Sequence, residues 1–159
     1  VTRTRLIGLD PGLRHTGWGI IDREGNRLIW VADGSVASDA KTSLAERLVQ
    51  LHDGLQAVIA EWQPQVASVE ETFVNKNPMS TLKLGQARGI SLLVASLNGL
   101  PVHEYAPNAI KKAVVGTGHA HKDQVQLMVK TLLPGAKMSN EHATDALAAA
   151  ICLAHHGVN

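Results

Sequence analysis

Residues 6–21 read LIGLDPGLRHTGWGII. An apolar run climbs to one carboxylate, Asp10; Pro11-Gly12 follows at once, and a second apolar run begins. The pattern predicts two strands joined by a turn, because proline presets φ and glycine tolerates the conformations that reverse a chain. Ending a buried strand on a lone carboxylate is expensive unless the charge is paired or binds a cation. Asp10 therefore either starts a turn or is held there for chemistry, and the rest of the chain must supply its partners.

Working outward, strands are expected at 4–10, 15–22 and 27–35, with Glu24-Gly25-Asn26 as the second turn. Residues 43–62 repeat apolar side chains at helical spacing, and Ser43 and Glu46 have capping-box spacing. A short strand, 66–69, runs into Glu70-Glu71. Further helices are expected at about 79–97, 107–115, 122–133 and 140–156, with a strand at 101–105. Three hairpin-joined strands followed by alternating helices and strands indicate an α/β fold with a sheet of mixed direction, in one domain over residues 1–159.

Hydrophobic content of 45% with 18% charged residues fits a folded globular chain. No apolar run approaches the ~20 residues of a membrane span. The opening VTRTRLIGLD lacks a signal-peptide layout and Cys152 is the single cysteine, so no membrane association and a cytoplasmic location are expected. Charge is unevenly spread: residues 1–71 carry net −3, residues 72–137 net +6 and residues 138–159 net −2. The basic middle suits a polyanion.

Acids stand beside core elements in three places: Asp10, Glu70-Glu71, and Asp145 in HATDALAAAICLAHH (142–156). His142 and Asp145 share one helix face at i, i+3. Ala143, Ala146, Ala149 and Ala150 let that helix lie close to a sheet. Glu70 and Glu71 face opposite sides of a strand, so only one joins a site; alternation by itself chooses weakly between them. Taken singly these residues read as a turn Asp, a strand-end Glu, a surface Asp and a satisfied His. Together they suit hard divalent cations, which keep clustered carboxylates ionised and activate phosphodiester hydrolysis.

LIGLDPGLRHTGWGII, SVEETFVNKN, LKLGQARG, EYAPNAIKKAVVGTGHAHKDQVQLMV and HATDALAAAI, in this order from Leu6 to about His155, resemble the RuvC family of Holliday junction resolvases. The resemblance implies a ribonuclease H-like fold with a mixed five-stranded sheet, antiparallel meander first and parallel strands after. It implies a homodimer that resolves four-way junction DNA with Mg²⁺ or Mn²⁺, two ions per subunit. Paired nicks would leave 5′-phosphate and 3′-hydroxyl ends, in concert with a branch-migration helicase. It assigns Asp10, Glu70, His142 and Asp145 to the metal and catalytic site, Lys111 and Lys122 to functional lysines, and Phe73 to a junction-contacting aromatic. Position 142 is Asp in some members and His in others. An imidazole can ligate a metal through one nitrogen or take a proton from the attacking water; it binds Mg²⁺ less readily than a carboxylate does, so Mn²⁺ is expected to serve at least as well.

Phe73, the one phenylalanine, sits in a polar loop where an aromatic can stack on an unpaired base. Lys122 is assigned to catalysis as well as to DNA, and Lys76, Lys83, Arg88, Lys111 and Lys112 to DNA phosphates. The alternatives are a junction-binding module that does not cut, and a ribonuclease H-like nuclease for another nucleic-acid structure. A sugar-kinase or actin-like ATPase fragment would need a second domain, and no Walker-type glycine loop occurs.

Overall fold

A computed structural model describes residues 2–71 and 76–157. Three strands, β1 (Arg3–Asp10), β2 (His15–Glu24) and β3 (Arg27–Ala37), form the antiparallel meander. Then come α1 (Leu44–Trp62), β4 (Val66–Glu70), α2 (Pro78–Leu97), β5 (Val102–Tyr105), α3 (Pro107–Val115), α4 (Lys122–Leu132) and α5 (Glu141–His155). The sheet order is β3-β2-β1-β4-β5, with β4 parallel to both β1 and β5. This is the expected mixed five-stranded sheet.

Local chemistry explains the boundaries. The Ser43 hydroxyl accepts from Glu46 N at 3.1 Å and starts α1; Gln63 in the left-handed region, followed by Pro64, ends it. The turn after Asp10 spans residues 11–14 and is tied by the Thr16 hydroxyl, which donates to Gly12 O at 2.9 Å. Pro107 at the first turn of α3 and Gly116 at its end (φ 98°) bracket that helix.

Alternation sorts the strands between two cores. Ile7, Leu9, Ile20, Ala67 and Val69 pack with α1 and α2. Leu6, Ile21 and Val66 pack with α3, α4 and α5. Helix α5 is the most enclosed element: eleven of its residues are buried. It crosses β1 and β2 at close range because the strands are cut away beneath it. A Cβ on Gly8 would run into the Ala146 carbonyl, one on Gly17 into the His142 carbonyl, and one on Gly19 into Leu147. Glycines on the sheet and alanines on the helix thus bring two backbones together, and that approach delivers the first turn of α5 to the end of β1.

Candidate active site

In the parallel pair β1/β4, Leu9 lies opposite Val69, so Asp10 and Glu70 are the next residues out at one edge of the sheet. Since Leu9 and Val69 face α1 and α2, Asp10 and Glu70 face α5. Glu71 turns away from them, and its N–H donates to Tyr105 O at 2.8 Å.

Asp145 arrives from α5. Asn140 caps this helix, accepting from Ala143 N at 2.9 Å, and donates through Nδ2 to Ser35 Oγ on β3 at 3.0 Å. Just before it, Asp33 of β3 clamps the approach. Its carboxylate accepts from Met138 N (2.9 Å), Ser139 N (2.8 Å), Ser139 Oγ (2.6 Å) and Trp30 Nε1 (2.9 Å). Met138 is held there in the left-handed region at φ 50°.

The three acids are electrostatically strained. Burial first, then the neighbouring Glu70 and Asp145 charges, push the Asp10 carboxyl up to about 9, while Lys122 opposes the shift. Burial also raises Glu70 and Asp145, and Lys111 and Lys122 pull both back. Each of the three is harder to ionise than an ordinary carboxyl. Beside it opens a cleft of about 250 Å³, lined by Glu70, Asp145, Lys111, Lys122 and the apolar Ile110 and Val125. Lys122 contacts Glu141 at the rim. Burial alone would lower its ammonium pKa, but Glu141, Asp145 and Asp10 outweigh that and raise it.

His142 places Nδ1 4.0 Å from Asp10 Oδ2, and its ring stacks on His15 with centroids 5.1 Å apart and planes 21° apart. Among the described residues no three His, Cys, Asp or Glu side chains close into a ready-made metal cage. The donor set nevertheless fits a hard divalent ion: Asp10 and Glu70 in hydrogen-bonding reach, Asp145 close enough to act on both, and all three carboxyls raised by burial among like charges.

The expected residues Asp10, Glu70, His142, Asp145, Lys111 and Lys122 are therefore brought together. Lys76, Lys83 and Lys112 are exposed outside the cleft lining. Arg88, expected on DNA, is 20% exposed and pairs with Glu104 of β5. Phe73 lies outside the described residues. Sequence reading missed His15, Glu141, Asp33 and the strand glycines. The period-2 spacing of Gly17 and Gly19 opposite an alanine-rich helix was a usable signal; the Asp33 clamp, 105 residues from Met138, left none.

A mixed sheet of this order, with acids at the ends of β1 and β4 and a third on the helix packed across them, defines the ribonuclease H-like, divalent-metal-dependent nucleases. Within that class the chain belongs to the crossover junction endodeoxyribonuclease RuvC family, whose profile matches residues 6–155. A crossover junction endodeoxyribonuclease RuvC of Paramagnetospirillum magneticum is 65% identical over 96% of this chain and 92% of its own. Thermus thermophilus RuvC, solved in complex with a Holliday junction substrate, superposes with a TM-score of 0.88 at 32% identity, covering 96% of this chain and 94% of that one. The yeast mitochondrial Holliday junction resolvase Ydc2 shares the fold (TM-score 0.62, 15% identity, 96% of this chain and 78% of that one).

Proposed function

We propose that this chain resolves four-way DNA junctions, and that Asp10, Glu70, Asp145 and His142 form the centre that hydrolyses the phosphodiester. The observation that carries this is the convergence of Asp10, Glu70 and Asp145 with Lys111 and Lys122 beside one cleft, where burial and the neighbouring carboxylates push Asp10 up to about 9. Mg²⁺ or Mn²⁺, two ions per subunit, would supply the charge that lets the acids ionise together, an activated water, and neutralisation of the phosphate. Asp10, beside both Glu70 and the His142 ring, would be the central residue holding the metal. His142 would offer a nitrogen donor in place of a carboxylate, so Mn²⁺ would serve at least as well as Mg²⁺, and His142→Asp would shift the preference toward Mg²⁺. Lys111 and Lys122 draw the scissile phosphate into the cleft, and Lys122 leaves Glu141 to oppose the charge developing there. Lys76, Lys83 and Lys112 neutralise flanking backbone, and Phe73 stacks at the junction centre.

Two symmetric nicks require two sites, so the working unit is a homodimer. Helix α2 supports this: Leu82, Leu93 and Leu97 are exposed on one face, where Gly85 and Gly89 leave open space for a second backbone. A branch-migration helicase would present the junction to this dimer in the cytoplasm; among the described residues no helix is long and apolar enough to cross a membrane.

The test is a synthetic mobile four-way junction offered to wild type and Asp10→Asn with Mg²⁺ or Mn²⁺, beside Y-shaped and RNA–DNA hybrid substrates. The expected result is retained junction binding with cleavage abolished in the variant. Full cleavage by Asp10→Asn, or preference for the hybrid, would overturn the reading.

A further inference from the structure

His15 is the first residue of β2 and stands on the strand face that meets α5, two residues before Gly17. Gly17 is where the missing Cβ lets the His142 backbone settle on the strand. The two imidazoles consequently stack, at 5.1 Å and 21°. His142 is 42% exposed, and the 4.0 Å from its Nδ1 to Asp10 Oδ2 is beyond hydrogen-bond range. The χ2 torsion of a histidine is broad and roughly two-fold. Asp10 at that distance leaves the ring free to tilt about χ2, whereas a flat plate against one face fixes its plane.

We propose that His15 is a positioning residue: its ring sets the plane of the His142 imidazole so that a nitrogen edge is presented toward Asp10. The role belongs to the ring face and not to the His15 nitrogens. It rests on the reading of His142 as a ligand in the site described above. Ligands whose orientation is fixed by a neighbour bind metal more tightly because the neighbour has already met the ordering cost.

The experiment measures Mn²⁺ binding to the DNA-free protein by electron paramagnetic resonance, at a temperature where circular dichroism shows each variant folded. His15→Ala should weaken binding by about three- to tenfold, the scale of a lost aromatic stack. His15→Phe keeps the plate without the nitrogens and should bind within about twofold of wild type. In a His142→Ala background, His15→Ala should add nothing. Wild-type affinity for His15→Ala, failure of His15→Phe to rescue, or additive losses in the double variant would each overturn the proposal. Asp145→Asn separates the two levels: if it binds Mn²⁺ normally, the metal site itself is misassigned; if it loses Mn²⁺ while His15→Ala does not, only the role of His15 fails.

Discussion

Gly17→Ala adds one methyl group to the strand residue opposite Asp10, introduces no charge or polar group, and should disable the site. The new Cβ would lie inside contact distance of the His142 carbonyl and of His142 Cβ. These are mostly backbone atoms and cannot swing aside. The helix they belong to has eleven buried residues, so it cannot move freely either. Relieving the overlap takes a displacement of about 1 Å, shared between β2 and the first turn of α5. Overpacking of this kind costs about 1–3 kcal/mol, or roughly 3–10 °C in Tm for a chain of this size. The same displacement moves His142 and Asp145 relative to Asp10 and Glu70, and about 1 Å of misplacement costs on the order of 100-fold in rate. Single-turnover cleavage of a synthetic junction at saturating Mn²⁺, with binding measured alongside, reads the chemical step directly. The expected outcome is near-normal binding, slow cleavage and a lowered Tm. Wild-type cleavage with an unchanged Tm would show that α5 does not depend on this approach.

The raised carboxyls predict the pH response of the metal-free protein. The native state keeps a proton on Asp10 up to about 9, while the unfolded chain releases it near 4. The native state therefore binds more protons between those values, and stability falls as pH rises across that window. Thermal melts from pH 5 to 9 should decline, divalent metal should reverse the decline, and Asp10→Asn should flatten it; a Tm that rises over this range would refute the assignment. Asp33→Asn exchanges an acceptor for a donor facing two N–H groups, and should cost about 1–3 kcal/mol in a denaturant titration; an unchanged midpoint would exclude the clamp. Leu93→Asp should give a monomer in sedimentation while leaving Mn²⁺ binding to the subunit intact, since Leu93 lies on the exposed face of α2; a stable dimer would move the interface elsewhere.

Periodicity carried most of the fold. Strand alternation around Leu6–Asp10 and Val66–Glu70 was enough to fix the sheet faces once the topology was known, and the α3 boundaries at Pro107 and Val115 were read directly. The site was legible in part. Asp10 and Asp145 stand out as charges interrupting apolar patterns, but choosing Glu70 over Glu71 needed the family resemblance or the sheet. The pairing of Arg88 with Glu104, sixteen residues on, could not be read from the basic stretch, because it depends on how α2 packs beside β5. His15 and Glu141 carry no local signature, because their partners are set by tertiary packing: His142 by the crossing of α5 over β2, and Lys122 by the packing of α4 beside α5.

That crossing divides the site into unequal halves. The carboxylates ride on β1, β4 and α5, elements whose amides should exchange with solvent only when the whole chain opens. Lys111 and Lys122 ride on α3 and α4, each with two buried residues, and should open at far lower free energy. The protein thus sets a fixed jaw against a yielding one. The acid side should hold its spacing while the lysine side gives way.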